Sequence, residues 1–223
     1  MQITIREPGS ALTHFSAMMM AVFAAVPLLL KAGIGSGQKN FYAMAIFIGS
    51  MILLYGASTL YHSVDLSGGS LRIFRKIDHM MIFVLIAGTY TPICLIALPQ
   101  PLGVHLLSLV WGIALLGIVV KLFWITCPKW FSSVLYISMG WTCVLAFTQL
   151  LNSLPAAAFG WLLAGGIIYT IGGVIYALKL PIFNAKHEFF GSHEIFHLFV
   201  MGGSVCHFIV MYGFVAGMPL AIF

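Results

Sequence analysis

Apolar residues occur along this chain in seven long runs, separated by short segments rich in turn-forming residues. The runs cover residues 11–30, 41–62, 77–98, 102–124, 131–151, 159–178 and 193–216. A helix needs about 20 apolar residues to cross the roughly 30 Å hydrocarbon layer of a membrane, and each run is about that long. The runs are too long for strands and show no strict alternation of apolar and polar positions. The pattern predicts an all-α membrane protein folded as a seven-helix transmembrane bundle.

The segments between the runs are short and contain glycine, proline and asparagine, which favour turns. None of them is long enough to form a further domain. We therefore expect a short cytoplasmic tail over residues 1–10 and a single transmembrane domain over residues 11–223.

The composition excludes the main soluble classes of protein. Of the residues, 61% are hydrophobic and 7% are charged, whereas soluble domains are about half apolar and a quarter charged. So few charges cannot keep a globule of this size in solution, and the basic residues do not gather on one face. A soluble enzyme, a disordered chain and a nucleic-acid-binding protein are all excluded by this pattern.

The basic residues mark one side of the predicted bundle. With seven spans, eight of the ten Lys and Arg residues lie on one side, and only Lys31 and Lys39 lie on the other. The eight are Arg6, Arg72, Arg75, Lys76, Lys121, Lys129, Lys179 and Lys186. Loops that stay in the cytoplasm carry such an excess of positive charge. We predict a multi-pass protein of the inner (plasma) membrane with its N-terminus in the cytoplasm and its C-terminus outside.

This topology brings several polar residues to one depth of the membrane. Ser58 and His62 lie near the cytoplasmic end of the second span, and Asp78 is predicted in the first turn of the third. His193 and His197 fall in the first two turns of the seventh span. Ionisable groups at membrane depth are expensive, so they are candidates for function.

The spacing of the histidines is typical of a metal site. His193 and His197 are four residues apart and therefore project from one face of a helix, where both can bind a single ion. His62 would supply a third imidazole and leave a fourth position open, which is the pattern of catalytic zinc. Imidazole also suits iron, copper or nickel. Without a metal, these histidines would lie at the water interface, Asp78 would complement the helix dipole, and Ser58 would bond its own helix backbone.

The seventh span also begins with the letters HEIFH at residues 193–197, which match the HExxH helix of zinc proteases. Glu194 would then be a general base, and the alternative is an interfacial charge in contact with water. His207 lies deeper along the same span, either as part of a polar cavity or as a core residue with its hydrogen bonds satisfied. The other histidines lie near span ends, and we expect them at the interface: His14, His79, His105 and His187.

Three ordered motifs on the second, third and seventh spans resemble those of a known family. They are STLYHS at 58–63, DH at 78–79 followed by AGTYTP at 87–92, and HEIFH at 193–197 followed by Ser204, His207 and Phe208. The chain resembles the haemolysin III family over nearly its whole length from about residue 11. This family is the bacterial branch of the progestin and adipoQ receptor superfamily, which includes the adiponectin receptors.

The resemblance implies seven helices, a cytoplasmic N-terminus and a zinc ion (Zn²⁺) held by His62, His193 and His197. It implies that Asp78 holds or deprotonates a zinc-bound water and that Ser58 orients this water or a ligand. The adiponectin receptors are linked to hydrolysis of the amide of ceramide, and the metal motif is similar to that of alkaline ceramidases. Relatives can carry Gln at the position of Glu194.

Four functions follow from these observations. The leading hypothesis is zinc-dependent hydrolysis of a membrane lipid, an amide, at the inner leaflet, with Asp78 and Ser58 as catalytic residues. The second is a sensor or regulator without enzymatic activity, in which Asp78 completes a structural zinc site. The third is a cytolytic activity, suggested by the family name. The fourth is an intramembrane metalloprotease of the HExxH type.

Overall fold

The computed structural model describes residues 5–66, 68–178 and 190–219. Within these residues it contains helices and no strands. The α-helices are α1 (Pro8–Ser36), α2 (Gln38–Ser63), α3 (Gly68–Pro92), α4 (Leu102–Phe123), α5 (Lys129–Gly140), α6 (Phe147–Ser153), α7 (Ala156–Leu178) and α8 (Ser192–Val210).

Three short irregular helices extend or join these elements. A π-helical turn over Ile93–Ala97 continues α3, and another over Met211–Val215 continues α8. A 3₁₀ segment over Trp141–Ala146 joins α5 to α6. The described residues thereby form seven apolar helical spans long enough to cross a membrane, the fifth being Lys129–Ser153. The prediction of an all-α bundle of seven spans is confirmed.

Helix α3 begins nine residues earlier than the apolar run predicts. It starts at Gly68 rather than at residue 77, because the basic stretch that contains Arg72 and Arg75 is helical as well. Hydropathy marks where a helix enters the apolar layer and not where it begins. Asp78 therefore lies almost three turns into α3, and its predicted position in the first turn is wrong. Asp78 therefore does not complement the helix dipole either, because that effect is confined to the first turn.

The inside of the bundle is formed mainly by the second, third and seventh spans, which are the most buried of the seven. The outer faces of the remaining spans expose many large apolar side chains, as expected for helices surrounded by lipid. The three most buried spans are those that carry the predicted site residues. Helix α1 packs against both α2 and α8 and so lies beside the same region.

Helices α7 and α8 approach closely because glycines stand where they meet. A Cβ atom placed on Gly172 would lie 2.6 Å from Cβ of Phe199, and one placed on Gly203 would lie 2.6 Å from the Tyr169 ring. Small residues commonly allow membrane helices to pack at such short distances.

Substitution of Gly172 by Ala should therefore destabilise the protein. The new methyl group would meet Cβ of Phe199, which cannot rotate away, so we expect a cost of about 1–3 kcal/mol. The control is Gly160→Ala in the same helix, where an added Cβ has no neighbour within 4 Å. Thermal unfolding in detergent should show a melting temperature several degrees lower for Gly172→Ala alone. Equal melting temperatures for the two variants would contradict this account of the contact.

One end of the bundle, which we call the basic end, carries the starts of α1, α3, α5 and α8. Arg6 lies over the ring of Tyr61 at 4.3 Å, and Lys129 lies over the ring of Tyr176 at 4.2 Å. Lys179, Lys186 and His187 fall outside the described residues. Which side of the membrane the basic end faces stays a prediction.

Candidate metal centre

Three histidines from two helices come together at the basic end. His62 lies in the last turn of α2, and His193 and His197 lie in the first two turns of α8. One nitrogen from each of the three rings lies within 4.8 Å of the other two. His62 and His197 are buried and His193 is partly buried. The two helices thus bring together the three residues that their spacing and depth predicted.

The distances suit a single bound ion. Nε2 of His62 lies 3.2 Å from Nε2 of His193. Two nitrogens bound to one tetrahedral zinc at 2.0–2.1 Å would be roughly 3.3 Å apart. The ring of His197 is centred 4.4 Å from that of His193 and 5.3 Å from that of His62. The donor set and its spacing therefore fit a metal ion held by three imidazoles.

Two of the three histidine rings are contacted at Nδ1, one by Glu7, which precedes α1, and the other by a residue of α1. Nδ1 of His62 hydrogen-bonds to the carboxylate of Glu7, and Nδ1 of His197 lies 3.1 Å from Oγ1 of Thr13. The hydrogen bond from His62 lowers the pKa of the Glu7 carboxyl below its ordinary value, although partial burial opposes this shift. Nε2 of His62 lies on the side of the cluster, next to Nε2 of His193.

Asp78 and Ser58 line the same cavity as His193 and His197. Oγ of Ser58 is buried and has no hydrogen-bond partner among the described residues, whereas its neighbour Thr59 bonds back to its own helix. The interpretation that Ser58 bonds its own backbone is therefore wrong. Oδ2 of Asp78 lies 3.3 Å from Nδ1 of His79, and Asp78 does not belong to the three-histidine group.

Glu194 has a different role from the one that the HExxH match suggests. One of its carboxylate oxygens accepts a hydrogen bond from Oγ of Ser10, and the other accepts one from the backbone N–H of Gly191 at 2.8 Å. A side chain that reaches back to the N-cap in this way satisfies a free donor at the helix start. Glu194 is therefore a capping residue of α8 that also ties α8 to α1.

His14 is a residue of this region that the sequence interpretation placed at the interface. It is only 3% exposed, and neither ring nitrogen has a hydrogen-bond partner among the described residues. Its ring stacks on that of His197, with centroids 3.6 Å apart and planes 9° from parallel. The signal that could have found it is the spacing of Glu7, Ser10 and His14, which places polar side chains on one face of the first helix.

The remaining histidines are placed as follows. His207 is buried and its Nδ1 donates to the carbonyl of Gly203 at 2.7 Å, as expected for a core residue with its hydrogen bond satisfied, whereas the cavity that it lines is mostly apolar. His79 is partly buried, and its Nδ1 lies 3.3 Å from Oδ2 of Asp78. His105 is exposed, as expected.

The cavity extends from the histidine cluster into the bundle. Its volume is about 140 Å³, whereas a single water needs roughly 10–15 Å³ by the same kind of measure. A second, mostly apolar cavity follows and shares Thr89, Trp141 and His207 with the first. His207 is ten residues beyond His197, which is about 15 Å along α8. The histidine cluster thus opens onto a long apolar space between helices.

Comparison with known proteins agrees with the motifs. A family model described as haemolysin-III related matches residues 2–208. Hemolysin-3 of Bacillus cereus is 36% identical over 207 residues, covering 93% of this chain and 90% of the relative. The Hemolysin-3 homolog of Bacillus subtilis strain 168 is 39% identical over 206 residues, covering 92% of each chain. The adiponectin receptor protein of Drosophila melanogaster is 26% identical over 219 residues, covering 91% of this chain and 49% of the relative.

Proposed function

The chain belongs to the haemolysin-III-related family of multi-pass membrane proteins, and from this premise we propose that it is a zinc-dependent hydrolase of a membrane lipid amide. The observation that carries the proposal is the group of three imidazole nitrogens within 4.8 Å, next to a cavity that Asp78 and Ser58 also line. A three-histidine set leaves one coordination position for a reactant, which is typical of catalytic rather than structural zinc.

His62, His193 and His197 would hold the metal. Bound there, Zn²⁺ supplies Lewis acidity, which polarises a carbonyl group and makes water acidic enough to attack near pH 7. The surroundings suit this chemistry because the cluster is mostly buried and adjoins a cavity with room for a reacting group.

Asp78 would transfer the proton, and Ser58 would stabilise the negative charge that develops on the carbonyl oxygen of the substrate. Asp78 accepts a proton from the attacking water as the new carbon–oxygen bond forms, and returns it to the amine as the carbon–nitrogen bond breaks. The products are a fatty acid and an amine. The Ser58 hydroxyl, which has no hydrogen-bond partner among the described residues, would donate a hydrogen bond to the carbonyl oxygen as negative charge develops there.

The substrate would be a lipid whose amide lies at the basic end of the bundle. The acyl chain would occupy the apolar space that runs from the histidines toward His207. With the basic end in the cytoplasm, as the positive-inside rule predicts, the reaction takes place in the inner leaflet.

The site supports this reaction better than its rivals. A regulator with a closed zinc site would need Asp78 as a fourth ligand, but Asp78 does not belong to the three-histidine group. A protease of the HExxH type would need Glu194 as a free base, but both of its oxygens are engaged at the start of α8. Cytolysis stays a prediction that rests on the family name.

Metal removal tests the proposal directly. The purified protein in lipid nanodiscs is incubated with ceramide and with other N-acyl lipids, and the released fatty acid is measured by mass spectrometry. We expect release from at least one amide lipid, its loss after treatment with 1,10-phenanthroline, and its return on addition of zinc. The isomer 1,7-phenanthroline, which cannot chelate through both nitrogens, is the control. Release that persists without metal would refute a zinc-dependent reaction.

A further inference from the structure

We propose that Glu7, just before helix α1, and residues of α1, which lie outside the three-histidine group, position two of the three ligands. In this proposal Glu7 and Thr13 hold His62 and His197 in the tautomer that binds metal through Nε2. The inference rests on the proposed metal site but not on any reaction at that site.

The first contact joins Glu7 to His62. An ionised carboxylate can only accept hydrogen bonds, so Nδ1 of His62 carries the proton in this contact. Nε2 then has a free lone pair, and this atom lies 3.2 Å from Nε2 of His193. The backbone N–H of Glu7 also donates to the carbonyl of His62 at 3.0 Å. The segment therefore stays in place even when the carboxylate is altered.

The second contact joins Thr13 to His197, and the single hydroxyl proton determines its direction. Oγ1 of Thr13 lies 3.0 Å from the carbonyl of Gly9 and 2.9 Å from that of Ser10. Because these carbonyls can only accept, the hydroxyl donates to them. It therefore accepts a hydrogen bond from Nδ1–H of His197, 3.1 Å away. Nε2 of His197 is again the nitrogen left for a metal.

The ring planes are restrained as well. His14, one residue after Thr13, stacks on His197 and limits rotation of that ring. Ser10 donates to Glu194 and thereby ties the first turn of α8 to α1. Because α1 packs against both α2 and α8, one helix aligns ligands that come from two others.

Such outer contacts matter for metal affinity. A carboxylate or hydroxyl that accepts from the second nitrogen of a ligating histidine fixes the tautomer and makes the ligand more basic. Loss of one such partner commonly weakens metal binding by roughly 10–100-fold. Nδ1 of His193 has no partner among the described residues, so the positioning applies to His62 and His197.

The test is the zinc dissociation constant, measured by competition with a chromophoric chelator on the full-length protein in detergent. We expect Glu7→Gln and Thr13→Val each to raise it by roughly 10–100-fold. Asp65→Asn removes an exposed carboxylate at the same end, and Ser16→Ala removes an exposed hydroxyl of α1 that donates to the carbonyl of Leu12 in its own helix. Both controls should keep the wild-type constant.

Two further measurements separate positioning from a general loss of structure. The melting temperature of the metal-free protein should be equal in Glu7→Gln and wild type, while the rise caused by zinc should be smaller in the variant. The visible absorption of the cobalt-substituted protein should shift in Glu7→Gln and not in Asp65→Asn, because it reports on the ligand geometry. Wild-type zinc affinity and an unchanged cobalt spectrum in Glu7→Gln would overturn the inference. Tight zinc binding without any lipid hydrolysis would instead refute the proposed function and leave the positioning intact.

Discussion

Replacement of His197 by Ala should leave the purified protein almost free of zinc, whereas the wild type should carry about one zinc per chain. The substitution removes one of three ligands and also breaks the pair formed with His193 on one face of α8. The remaining two imidazoles come from different helices and no longer enclose an ion. The loss of affinity should exceed the roughly 10–100-fold expected for an outer contact. Elemental analysis of the variant beside the wild type, both grown with added zinc, measures the effect.

The matched control is His105→Ala, which removes an exposed histidine of α4 outside the cluster. It should keep the zinc content of the wild type, and His62→Ala and His193→Ala should lose it as His197→Ala does. A wild-type protein that contains no metal, or a His197→Ala variant that retains it, would refute the three-histidine site.

The seven spans could be predicted from the sequence because the membrane itself sets their length and polarity. An apolar run of about 20 residues has few alternatives in a lipid bilayer. The start of α3 could not be predicted, since Arg72 and Arg75 continue the helix beyond the apolar layer, where hydropathy gives no signal. Because hydropathy places the start of the third span at residue 77, it also places Asp78 in the first turn.

The histidine cluster could be predicted because two simple rules act together. The spacing of His193 and His197 places them on one helix face, and alternating span direction brings His62 to the same depth. The contacts of α1 with the cluster could not be predicted from these two rules. Glu7, Ser10 and His14 mark one polar face of the first helix, but only the packing of α1 against α2 and α8 places Thr13 and His14 beside the cluster.

The HExxH match shows why a motif needs its surroundings. The five letters at residues 193–197 predict a helix with two ligating histidines, and the cluster agrees with that part. They cannot tell whether Glu194 faces a substrate or the backbone. The contact with Ser10, which is 184 residues away in the chain, decides this in favour of capping. A local pattern thus predicted the ligands but not the partner of the acidic residue between them.

Substitution of Asp78 by Asn should abolish lipid hydrolysis while zinc remains bound. An amide of the same shape cannot take a proton from water, and loss of a general base commonly slows a reaction by roughly 10²–10⁴-fold. Because Asp78 lies outside the three-histidine group, zinc content should stay near that of the wild type in Asp78→Asn and also in Asp78→Ala. Fatty-acid release and zinc content are measured on the same preparations.

Glu194→Gln is the matched control, since it makes the same carboxylate-to-amide change on the neighbouring acidic residue. Its side-chain oxygen can still accept a hydrogen bond at the start of α8, so activity should stay within a few-fold of wild type. Fatty-acid release lost in Glu194→Gln but kept in Asp78→Asn would make Glu194 the general base, as in enzymes of the HExxH type. Zinc lost in Asp78→Ala would instead make Asp78 a fourth ligand, which closes the site and favours a regulator. The two carboxylates, on different helices at one end of the bundle, therefore separate the proposed mechanism from one with Glu194 as the base and from a closed zinc site.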